Sequence, residues 1–285
     1  MVASVSNAFI TMFDSEVHQA YQAQRQLAGL TRERTGVVGS TVKFQKLSKG
    51  SASIRSPLTD VVPMSLTWSN VSATMTDYIA ADYTDMFHAP KVNIQEKSEL
   101  VQSVSGAIAR RMDQVTIDSL VAASGTGAVA NTIQEDGSSG SANGLNTGMI
   151  RAAKKTLDAK NVPPSDRTLL VHANSLSNLL GKTSVQSSDF NSIKALVNGD
   201  LDTWLGFKII TIGDRPDEGG LAIDGSSDRI CYAFHKSSVG VGIGMNQTSR
   251  IDWVAEKTSW LVASMFSGGG IAIDADGIVK ITTRE

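Results

Sequence analysis

The stretch NIQEKSELVQSVSGAIARRMDQVTIDSLVAASG, residues 93–125, decides how this chain is built. Asn93-Ile94-Gln95-Glu96 has the form of a capping box, with the acid at the third helical position answering the side chain that caps the first turn. Ile94, Val101, Val104, Ile108, Met112, Val115 and Leu120 then hold a spacing of mostly three and four, which lines them along one helix face until Ser124-Gly125 ends the run. About thirty residues at 1.5 Å each make a helix of about 45 Å, far above the usual length, so the segment is a spine for whatever surrounds it. Gly106 in its middle costs about 1 kcal/mol relative to Ala, which points to the close approach of another element.

Upstream of the spine, Phe9, Ile10, Phe13, Val17, Ala20 and Tyr21 predict a short N-terminal helix. Helical periodicity then disappears from about residue 30 to residue 89. Val42 and Phe44 alternate with Lys43 and Gln45, and Leu66 and Trp68 with Thr67 and Ser69, the period-two pattern of half-buried strands. The turn-rich stretch from Leu47 to Pro57 separates them, and a phase slip between Trp68 and Val71 marks a place for a bulge. The result reads as a long hairpin with little apolar mass of its own, and an isolated hairpin is marginal in water. It must lean either on this chain's own core or on another subunit, and the residues leave both open.

Downstream, the Gly-, Ser-, Ala- and Asn-rich segment 125–148 reads as a mobile surface loop. Met149, Ile150, Ala153 and Leu157 predict a short amphipathic helix that stops before Pro163-Pro164. A mixed α/β block follows: a buried strand at 168–171, a short helix around Leu176, Leu179 and Leu180, and a strand at 207–212. Beyond Ile230, alternating glycine and apolar residues at 239–243 and strands around 251–254, 260–265 and 278–282 read as a closing sheet.

The chain has 285 residues, a prior of roughly two domains, which is enough for a core without metal or disulfide. Its 26 basic against 28 acidic side chains give a net charge of −2, where a dedicated DNA-binding domain would be basic. The single cysteine, Cys231, excludes an intrachain disulfide and any multi-cysteine metal site. No stretch reaches 18 consecutive apolar residues, and Met1 to Phe13 lacks the basic start of a secretory signal.

Motifs of chemistry fail one after another. Gly181-Lys182-Thr183 has only the ending of a phosphate loop, since Leu176 stands where the first glycine belongs. Gly240, Gly242 and Gly244 lead into a strand, not the helix a dinucleotide turn must open, so they read as strand positions with close backbone approach. Asp274, Asp276 and Gly277 imitate a calcium loop, but Ile278 takes the place of the third ligand, and they read as a turn between strands. His18, His88, His172 and His235 are scattered, without metal-ligand spacing, and read as isolated packing or surface histidines. No nucleophile elbow is present, and Cys231, between Ile230 and Tyr232, reads as an inert buried thiol. The expectation is no enzyme, no metal and no cofactor.

The order of elements resembles the α+β fold of tailed-phage major capsid proteins of the Hong Kong 97 type. The resemblance is carried by Asn7-Ala8-Phe9-Ile10 through Tyr21, by Trp204-Leu205-Gly206-Phe207-Lys208-Ile209-Ile210, by Phe234-His235-Lys236-Ser237-Ser238-Val239-Gly240, and by the closing Gly268-Gly269-Gly270-Ile271-Ala272-Ile273-Asp274 with Gly277-Ile278-Val279-Lys280-Ile281. It implies an N-terminal arm at 1–30, an extended loop at 31–88, a peripheral domain at 89–162 and 245–285, and an axial domain at 163–244. It implies hexamers and pentamers closing an icosahedral head around double-stranded DNA, assembled in the host cytoplasm and located in the virion. DNA contact would be non-specific, with no membrane involved. An arm that begins almost at Met1 implies a separate scaffolding protein, alongside a portal and room for a decoration protein. Between subunits, the basic residues Lys43, Lys46, Lys49 and Arg55 of the hairpin, with Trp68, are expected to meet a neighbour. The alternatives are an encapsulin-like nanocompartment shell, which would bind a cargo peptide, and, from another class, an unrecognised soluble hydrolase.

Overall fold

The computed structural model describes residues 24–85, 96–182, 203–215 and 218–285. The expected N-terminal helix and the capping box at 93–95 lie outside them. The spine helix α1 spans Glu96–Val121, 26 residues or about 39 Å. Val104, Ile108, Met112, Val115 and Leu120 are buried as the periodicity requires, and Ile117 joins them.

Twelve strands are formed among the described residues. A four-stranded sheet runs in the order β1-β10-β11-β4, formed by β1 (Arg32–Thr35), β10 (Val239–Val254), β11 (Ser259–Ala272) and β4 (Thr76–Asp85). The two strands expected at 239–243 and 251–254 are one 16-residue strand, irregular only where its register shifts between Ile243 and Thr248. Helix α1 covers one face of this sheet, where Ile108, Met112 and Val115 pack with Val241, Ile243 and Phe266.

A six-stranded sheet, β5-β12-β9-β6-β8-β7, carries most of the core. It is built from β5 (Gly127–Val129), β12 (Ile278–Arg284), β9 (Asp228–His235), β6 (Arg167–His172), β8 (Phe207–Ile212) and β7 (Thr203–Trp204), and it packs against α2 (Thr147–Ala159) and α3 (Ala173–Leu180). All six residues of β6 are buried because neighbours flank it on both sides, parallel β8 and antiparallel β9. This sheet takes strands from 127–129 and 278–284 as well as from 167–235, while β4, inside 31–88, belongs to the spine's sheet.

The segment 125–148 is not the mobile loop its composition predicts. It contributes β5, and both Leu145 and Asn146 have no exposure at all. Its amides answer one another: Gln134 N donates to Ser138 O, Gly140 N to Thr132 O, and Asn143 N to Asn131 O. The Asn146 side chain accepts from Met149 N to cap α2 and donates to Ile133 O. Small polar residues here satisfy backbone groups, so low apolar content does not mean disorder.

The hairpin consists of β2 (Thr41–Leu47) and β3 (Trp68–Thr74) in unbroken register from Thr41↔Thr74 to Leu47↔Trp68. No bulge exists at the phase slip. The slip is instead a change of face: Val42 and Phe44 share their face with Ala73 and Val71, whereas Trp68 stands opposite Leu47 on the other.

Candidate inter-subunit surface

The root of the hairpin is docked on its own chain. Val42, Phe44 and Ala73 are buried with Ile273, and a methyl group on Gly240 would stand 2.7 Å from the Phe44 ring. Gly240 is thus the close-approach position that its strand context predicts. Phe44 at 3% exposure is worth about 2 kcal/mol of burial, enough to seat the root and no more.

Ion pairs add to the seat. Lys46 Nζ lies 2.8 Å from Asp274 Oδ1, and Lys49 Nζ lies 3.5 Å from Asp276 Oδ2. Lys160 holds the other oxygen of Asp276, and together the two lysines keep that carboxyl below the ordinary range. The residues that imitate a calcium loop are therefore a 3-10 turn, Ala275–Gly277, whose carboxylates receive lysines. Two of the four hairpin cations thus have partners inside the chain, a possibility that sequence alone could not rank against a neighbour's acids.

Lys43 and Arg55 have no ion pair among the described residues. Trp68 is 67% exposed on the outer face of β3. Beyond the root, 48–67 forms no strand, and Ile54, Leu58, Val61 and Val62 are at least 74% exposed. Five apolar side chains, counting Met64 at 52%, thus stand in water along this one segment.

Cys231, His172 and His235 occupy packed or capping positions. Cys231 has no exposure, and burial pushes its thiol up. Burial pushes His235 down, and its Nδ1 accepts from Ser237 N. His172, 1% exposed, accepts from Asn174 N as the cap of α3. His18, His88 and Thr183 lie outside the described residues, and Gly181 simply ends α3. Among the described residues, no group of three His, Cys, Asp or Glu is placed to hold a metal, and no helix is long and apolar enough to cross a membrane.

One buried cluster escaped sequence reading. Asp113, with no exposure, accepts from Gln26 N at 3.0 Å and Leu27 N at 3.1 Å and is paired with Arg215 Nη1 at 2.9 Å. It ties the incoming chain to the spine and to the loop after β8. A signal was present: Asp113 aligns with the buried Ile117 and Leu120 at i+4 and i+7.

A long helix on a four-stranded sheet, a second sheet with its own helices, and a projecting hairpin with an uncovered tip define the Hong Kong 97-type capsid architecture. The sequence model of the phage capsid protein family matches residues 5–285, and the chain belongs to that family. Comparison with curated protein sequences finds no match. Among solved structures, the head of Helicobacter pylori bacteriophage KHP40 superposes with a TM-score of 0.78 at 12% identity, covering 99% of this chain and 98% of that one. The capsid of cyanophage P-SCSP1u gives 0.75 at 17% identity, with 98% and 94% covered. Mycobacterium phage Che8 gives 0.71 at 17% identity, with 96% and 97% covered.

Proposed function

We propose that this capsid protein builds an icosahedral phage head by forming hexamers and pentamers, with the hairpin of each copy lying on a neighbour. The observation that carries the reading is the hairpin itself: its root is seated by Phe44 and Lys46, while its tip, Ile54 to Met64, has apolar side chains that no described residue buries. In this reading the arm 1–30, the loop 31–88, the peripheral region 89–162 with 245–285, and the axial region 163–244 have separate assembly roles, and β4, β5 and β12 stitch the regions together. Lys43, Arg55 and Trp68 face the neighbour. Lys46 and Lys49 fasten the root.

Scaffolding protein, portal and decoration protein are separate chains in this proposal, and DNA is held inside with few phosphate contacts by a chain of net charge −2. Assembly takes place in the host cytoplasm, and the chain performs no catalysis and needs no cofactor. Electron microscopy of the purified protein tests the proposal. Closed shells are expected, and Val61→Ser with Val62→Ser and Met64→Ser should leave a folded protein that forms none. A small oligomer with hydrolase activity, or a shell filled with a cargo enzyme, would overturn it.

A further inference from the structure

We infer that neighbouring copies are joined head to tail through the two opposite edges of the four-stranded sheet, a basic edge at β1 and an acidic edge at β4. The inference rests on the shell-building reading above and adds to the hairpin tip two sheet edges, one of them flanked by Lys43 of the hairpin root. In the order β1-β10-β11-β4, the outer strands lie three strand spacings apart, about 14 Å, and neither pairs with a further strand among the described residues.

Their chemistry is opposite. β1 contributes Arg32 and Arg34, which with Lys43 of β2 line a groove of about 440 Å³. None of these three cations has an ion pair among the described residues, and the one acid in the groove, Glu33, is already bound to Arg25 at 2.8 Å. Just beyond this strand Val38 is 97% exposed. β4 reads TDYIAADYTD, with three acids and no base. Asp77 and Asp82 are exposed and unpaired with any cation among the described residues, beside Ile79 at 65% and Tyr83 at 42% exposure.

A chain that carries two complementary patches on opposite sides, and not one self-complementary patch, forms heterologous contacts, which close into rings when the rotation permits. Exposed like charges without partners would otherwise repel at this sheet's edges. A second copy is the occupant that supplies both missing sets at once. The three cations could instead meet the phosphates of packaged DNA, and the experiment separates the two.

Two variants are made in the full chain, Arg32→Glu with Arg34→Glu, and Asp77→Lys with Asp82→Lys. Circular dichroism and melting temperature establish that each is folded. Alone, each places like charges at every junction, and ring yield by native mass spectrometry should fall at least tenfold. Mixed in equal amounts they should recover six-membered rings of alternating composition but not five-membered ones, because an odd ring leaves one like-charge seam. Wild-type rings should also loosen as salt rises from about 50 to 500 mM. Normal shells from either variant would overturn the edge contact while leaving the shell-building reading intact. Failure of the mixture to recover rings would overturn it too, as would normal shells from the arginine variant that have lost only nucleic acid. A wild type that forms no rings at all would remove the underlying reading with it.

Discussion

Asp113 shows what one residue can carry. Its carboxylate is wholly buried against a guanidinium that is 3% exposed, so removing either partner leaves a buried charge with polar neighbours but no counter-charge. Asp113→Ala should therefore cost about 3–5 kcal/mol in denaturant midpoints, well beyond a surface change, and a loss under 1 kcal/mol would show that the pair contributes little. Residue chemistry also sets an alkaline limit. Burial raises Tyr232 from 10.0 to about 12 and raises Cys231 from 9.0. Both stay protonated in the folded chain at pH values where the unfolded chain has lost those protons, so stability falls as pH rises above about 9–10. For Tyr232 the loss builds to about 2 kcal/mol by pH 12, at no more than about 1.4 kcal/mol per unit. Tyr232→Phe should flatten that limb in thermal melts between pH 9 and 11. Sequence could place Cys231 and Tyr232 in a strand, because their neighbours are apolar. It could not pair Asp113 with Arg215, because 102 residues separate them and only the fold closes that distance.

At the scale of elements, α1 and α2 were legible because each repeats its apolar spacing over several turns, and β6 and β8 because each is a short, nearly continuous apolar run. The hairpin was legible as two strands but not in its facing. Leu66 and Trp68 look like inward residues by alternation, yet the face that meets the body is set by contact with β10 and β11, which no local pattern records. The junction of β3 and β4 depends on such a contact. A methyl group on Gly269 would lie 2.0 Å from Thr74 O, a backbone atom that cannot step aside. Gly269→Ala should destabilise the chain by about 1–3 kcal/mol and speed hydrogen exchange across 68–74, while Gly213→Ala, with nothing within 4 Å, should do neither. Equal effects at the two glycines would mean that backbone freedom, and not the approach of Thr74, is what the position needs. The segment 125–148 misled in the opposite direction, since its asparagines and glutamine form hydrogen bonds that composition counts as looseness.

For the whole molecule, the order of elements was enough to suggest the capsid fold, and the apolar tip of the hairpin stays exposed in a single copy. The proposed inter-subunit surface was only partly legible: Lys43, Arg55 and Trp68 have no ion pair or cover among the described residues, while Lys46 and Lys49 answer acids at residues 274 and 276 that lie over 220 positions away.

Both sheets share a feature with consequences for synthesis. β1 pairs with β10, β4 with β11 and β5 with β12, so each early strand waits for a partner near the far end of the chain. Such long closures make folding slow and leave early segments exposed in the meantime. A chain ending at residue 240 should show neither slowed hydrogen exchange in 76–85 nor a cooperative melt, and protection there before 259–284 exists would contradict this. On the ribosome, the sticky hairpin emerges long before the sheet that seats it. Polysomes making this protein therefore hold many unseated hairpins close together, since the first quarter of the chain waits for the last tenth to arrive.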